Sequence, residues 1–156
     1  MTDSTSVSIN QTIGFYPDPD NIPSISSPST GGRFYDNEQH YYDVSVSSEL
    51  DSIQFSSVIN GLRNFSNSLY NLNSLNCTDI GIQSALNGGI TLPDTTGSWG
   101  NFLLGQGAGS NPGDLGEDIR DMANPLSPNH NPSLTIKTTP GIGPAFRLAN
   151  RNNYLK

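Results

Sequence analysis

The sequence predicts a mostly irregular chain: one long amphipathic helix, one or two short helices, a few isolated strands and no large sheet. Three observations lead there. Phe55, Val58, Leu62, Phe65, Leu69 and Leu72 recur at alternating steps of three and four, with Ile59 on the same side, which is the apolar stripe of a helix over 52–75. Hydrophobic residues make up only 33% of the chain, against roughly 45–50% in ordinary domains. Prolines and glycines, 11 and 16 in number, interrupt both ends, and proline withdraws a backbone donor from any ladder or helix it enters.

The start of the long helix is legible. Asp51 stands three residues before Gln54, the spacing of a capping box, and Leu50 and Phe55 occupy the positions of a hydrophobic staple. The opposite face, Ser56, Ser57, Asn60, Arg63, Asn64, Asn67, Ser68 and Asn71, carries a single charge, and Gly61 sits in mid-helix. Serine, asparagine and glycine are poor helix formers because they bond or loosen their own backbone. Such a helix needs support from outside itself.

Taken in order, residues 1–32 predict an extended N-terminal arm. Val7, Ile9 and Ile13 alternate weakly, and Pro17, Pro19, Pro23 and Pro28 then argue against regular pairing. Asp18-Pro19-Asp20-Asn21 is a turn signal; a cation loop would need further oxygen donors at regular spacing, and none follow. Residues 33–123 form the expected small core. Tyr42, Val44 and Val46 alternate as a strand with one buried face, and Asp36, Glu38 and His40 would share a face of an extended segment. That trio reads as a polar edge, since no second His or Cys cluster completes a metal site. Asp79 through Leu86 predict a short helix ended at Asn87-Gly88-Gly89 by a left-handed cap.

Ile90, Leu92, Trp99, Phe102, Leu103 and Leu104 add apolar mass without a period, and Trp99 reads as a core or interface anchor. The glycine-rich run from Gly105 to Gly116 lacks the third spacing of a dinucleotide fingerprint and the lysine of a phosphate loop, so it predicts a turn-rich connection. Asp114 is placed to cap a short helix to Ala123, with Leu115, Ile119 and Met122 inward. Residues 124–156 return to an extended style, with one strand at Leu134 and Ile136 alternating with Thr135 and Lys137.

Charge is distributed unevenly. Every acidic residue lies at or before Asp121, whereas Lys137, Arg147, Arg151 and Lys156 follow it alone. The basic C-terminal arm, with Phe146, Arg147, Arg151, Tyr154 and Lys156, therefore reads as a partner-binding segment that docks on an acidic protein surface rather than on nucleic acid: four charges are few for tracking phosphates, and a body of net charge −7 is repelled by a polyanion.

No catalytic residue, metal ligand or cofactor site is expected. His40 and His130 are the available bases, and no nucleophile elbow, zinc-binding helix motif or cysteine pair accompanies them. The lone Cys77 reads as a small buried hydrophobe. The N-terminus shows no signal-peptide pattern, and no apolar run is long enough for a membrane span. A chain with too little apolar area to offset its backbone entropy must borrow contacts from neighbours. The expected function is thus that of a non-enzymatic structural subunit of a large assembly, most specifically a minor virion protein such as a capsid accessory or a tail, collar or baseplate component. The alternative is an adhesive or carbohydrate-contacting module using Trp99, Tyr41 and Tyr42.

Overall fold

A computed structural model describes residues 11–37, 42–93, 96–101 and 105–138. Ten elements run in the order β1 (Ile13–Pro17), β2 (Ser29–Asp36), β3 (Val44–Ser47), α1 (Ser52–Phe65), β4 (Leu69–Asn71), α2 (Cys77–Asn87), β5 (Thr96–Asn101), β6 (Gly105–Ser110), α3 (Pro112–Ala123) and β7 (Thr135–Thr138). They form a three-stranded antiparallel sheet, β1-β2-β4, and two antiparallel ribbons, β3-β7 and β5-β6. The expectation of a mostly irregular chain on one long helix is corrected: three short helices stand among seven paired strands.

The long helix fails at Ser66. The Ser66 hydroxyl and backbone N–H both donate to the Arg63 carbonyl, at 2.8 and 3.2 Å, and the Ser68 N–H donates to Phe65 at 3.0 Å. Short polar side chains that bond the local backbone compete with helix propagation, and Ser66-Asn67-Ser68 supplies a run of them. Beyond this turn the period changes from 3.6 to 2. Leu69 and Leu72, members of the predicted stripe, belong to no helix; Leu69 points outward at 65% exposure, and Tyr70, which the helical reading left off the stripe, is buried in its place. Ser29–Gly31 of β2 pairs with β4.

The helix start follows the sequence. Asp51 Oδ1 accepts from the N–H groups of Ile53 and Gln54, both at 2.8 Å, and Gln54 Oε1 accepts from Asp51 N–H at 3.0 Å, a complete capping box. Leu50 rests beside Gly88, and Phe55 is 57% exposed. No residue of α1 is fully buried. Val58, Ile59, Leu62 and Phe65 are half-buried; Leu62 and Phe65 pack against the main core of Phe15, Tyr70 and Ile80, joined by Phe34, Leu72 and Leu75.

Prolines do not prevent pairing near the N-terminus. Pro17 closes β1, which lies at the edge of its sheet, where a missing donor costs no ladder bond. Phe15, on β1, is the most enclosed large side chain described, at 1% exposure. Its ring lies directly over Gly32 of β2: a Cβ there would come within 2.1 Å of Phe15 Cζ and 2.8 Å of the Ser68 carbonyl. The Asp18–Asn21 turn forms as read, with Asp18 Oδ1 accepting from Asp20 N–H and Oδ2 meeting Arg33 at 3.2 Å.

The glycine-rich run is also corrected. Gly105–Ser110 is a strand, and Trp99 of β5 stands in register with Gly107. The glycines admit what crosses them: a Cβ on Gly107 would meet Trp99 Nε1 at 2.3 Å, and one on Gly109 would meet the Asn73 carbonyl at 2.7 Å. Helix α3 begins three residues before the expected point; Asn111 is its cap, accepting from Asp114 N–H at 2.9 Å, and Pro112 takes the first helical position. Ile119 and Met122 face inward as predicted, and Gly116 of α3 lies against Val44 of β3.

Candidate functional site

The described residues form a concave surface of a size that can hold a ligand. It is an open groove of about 830 Å³ between the outer flank of α1 and the end of α2. Helix α1 contributes Ser52, Ile53, Ser56, Ser57, Asn60, Gly61, Asn64 and Phe65. Gln83 and Asn87 of α2 complete it, linked by a 3.2 Å bond from Gln83 Nε2 to Asn87 Oδ1. Gly61 explains how the helices meet: Asn87 Nδ2 lies 2.0 Å from where a Gly61 Cβ would stand. The mid-helix glycine, which on the sequence only weakens α1, is therefore the point where α2 comes close.

The groove uses the polar face of α1 that the sequence singled out, at Ser56, Ser57, Asn60 and Asn64. The predicted packing stripe instead divides. Val58 and Phe65 turn toward α2 and the core, whereas Phe55 stays exposed. Large apolar side chains lie open elsewhere too: Ile53 at 80%, Leu86 at 53% and Leu126 at 92%. Fully buried hydrophobic residues among those described number five, Phe15, Tyr70, Ile80, Ile119 and Met122.

Trp99 is half-buried over its own ribbon, and Tyr42 is exposed. Tyr41, Glu38 and His40 lie outside the described residues, as do Phe146, Arg147, Arg151, Tyr154 and Lys156 of the C-terminal arm. No group of three His, Cys, Asp or Glu side chains that could hold a metal ion is assembled among the described residues. Cys77 is half-buried at the start of α2. His130 Nδ1 lies 3.0 Å from the Met122 carbonyl, which ties the ring to the end of α3.

The Asp121 carboxylate has a displaced titration. Its Oδ2 accepts from Ser127 Oγ at 2.7 Å and Asn129 Nδ2 at 2.8 Å, and these bonds, the Ser127 hydroxyl first, hold it below the usual carboxylate range. Sequence reasoning missed both this bracket and the groove. The Ser-Pro-Asn spacing after α3 is a signal for the first; the second depends on how two helices cross.

Among the described residues, no helix is long and apolar enough to cross a membrane. Comparison with protein-family models, curated proteins and solved structures finds no match for this chain.

Proposed function

We propose that this chain is a non-enzymatic structural subunit of a large assembly that binds neighbouring protein subunits, with a minor virion protein as its specific form. The supporting observation is the state of α1: a helix with a complete capping box and an apolar stripe, yet no fully buried residue and with Phe55 exposed. An apolar side chain left in water forgoes about 1.5–3 kcal/mol of burial. Phe55, Leu86 and Leu126 together are what a neighbouring subunit would cover. The basic residues Arg147, Arg151 and Lys156, with Phe146 and Tyr154, supply a second contact in this reading, directed at the acidic surface of another subunit.

Sedimentation velocity on the purified chain tests this. An oligomer, or recovery only within a larger complex, is expected, and Phe55→Glu with Leu86→Glu should disperse it while leaving the melting temperature of the chain unchanged. Charge reversal at Arg147, Arg151 and Lys156 should weaken assembly most at low salt. A monomer at every concentration, melting in one cooperative transition from end to end, would overturn the reading.

A further inference from the structure

The groove on α1 and α2 holds no ionisable side chain, although the chain carries 14 acidic residues. Along α1, Ile53, Ser57, Asn60 and Asn64 follow one another at steps of four, three and four. That stripe is roughly 16 Å long at the rise of an α-helix, about the span of three linked hexose rings. Across from it stand the carboxamides of Gln83 and Asn87.

The chemistry of these walls narrows the ligand. A carboxamide both donates and accepts, and so does a hydroxyl; a matching ligand must alternate donors and acceptors around its rim. A charged ligand would give up water without meeting a counter-charge. A peptide bound by strand addition needs a free strand edge, and two helices offer none, because their own backbone groups are internally bonded. Ile53, 80% exposed at the lip, gives the C–H face of a ring an apolar surface to lie on. The volume of about 830 Å³ falls within the range of roughly 300–1,000 Å³ common to ligand sites.

From this we infer that the groove is a binding site for a neutral oligosaccharide. It goes beyond the assembly reading and rests on other residues, since none of Phe55, Leu86 and Leu126 is part of the lining. An open site of this kind binds weakly, because it removes little of the ligand's surface from water.

The test is an NMR titration of the isotope-labelled full chain with maltotriose, cellotriose and chitotriose, with trigalacturonate as the charged comparison. At least one neutral trisaccharide should give saturable shifts at Asn60, Asn64, Gln83 and Asn87. The double variant Asn60→Ala, Asn64→Ala should lose about tenfold or more in affinity while melting no lower than the parent, because alanine is the better helix former. Retained helical circular dichroism separates that loss from unfolding. Absence of saturable shifts with all three neutral sugars, shifts centred on the Trp99 ribbon, or tighter binding of trigalacturonate or of a neutral Ser/Asn-rich peptide would overturn the inference.

Discussion

The sheet β1-β2-β4 with α1 and α2, and the ribbon β3-β7 with α3, solve the same shortage of apolar residues in different ways. The first concentrates what it has. Phe15 lies 5.2 Å from the Phe34 ring centroid and 5.7 Å from that of Tyr70, with Ile80 closing the cluster. Of its described hydrophobic residues the second buries Ile119 and Met122, and it relies on polar stitching after α3. There the Asp121 carboxylate holds Ser127 and Asn129, the Met122 carbonyl accepts from Asn131 N–H at 3.1 Å, and turns at Ser127, His130 and Leu134 lead the chain into β7. Aromatic packing yields more stabilisation per residue, whereas each neutral hydrogen bond nets only about 0.5–1.5 kcal/mol. The contrast teaches that a chain poor in hydrophobic residues can still fix a loop, provided Asn, Ser and Asp fall where turns need them.

The largest test of that contrast is Phe15→Ala. It should cost about 3–5 kcal/mol in denaturant unfolding and release β1, β2 and β4 together, because Phe15 is the one ring all three share. Hydrogen exchange across α3 and β7 should change much less. Equal loss of protection in both regions would show them to be one cooperative unit and end the distinction.

Asn76→Ala addresses the joint between them. Asn76 is buried, caps α2 by accepting from Thr78 N–H at 2.8 Å, and donates to the Ser110 carbonyl at 2.8 Å, where β6 leads into α3. Loss of the cap costs about 1–2 kcal/mol, and the stranded Ser110 carbonyl adds to it. Calorimetry should show a lowered and broadened transition; an unchanged, sharp one would mean that this bond does not couple the two parts.

The smallest effect belongs to Asp121. Its carboxyl titrates below its usual range in the folded chain, so the stability it contributes is fully present above the unfolded value and is lost as pH falls through the folded one. In Asp121→Asn the acid limb of the stability curve should flatten, leaving wild type and variant alike at low pH. A difference that persists undiminished in acid would show that the Ser127 and Asn129 bonds do not depend on the charge.

Local chemistry was legible in the sequence wherever a short stretch decides its own conformation. The Asp51–Gln54 capping box, the Asp18–Asn21 turn, the short helix near 79–86 and the inward Ile119 and Met122 stand where the residues indicate, and the strand read at 134–137 forms one residue further on, at Thr135–Thr138. The stripe over 52–75 misled because leucines at 62, 69 and 72 satisfy helical spacing while Ser66-Asn67-Ser68 satisfies a turn, and periodicity does not weigh the two. The glycine run misled because glycine signals a turn locally, whereas here it makes room for the Trp99 ring and the Asn73 backbone.

By itself the sequence determined the caps, the turns, the polar face of α1 and the scarcity of apolar mass, since these depend on residues a few positions apart. Only the tertiary structure decided that Tyr70 and not Leu69 turns inward, that β2 joins β1 to β4, and that Gly61 admits Asn87 to form one wall of a groove. Those outcomes rest on contacts between residues distant along the chain, where the deciding quantity is the space left by a partner, and no local pattern records it.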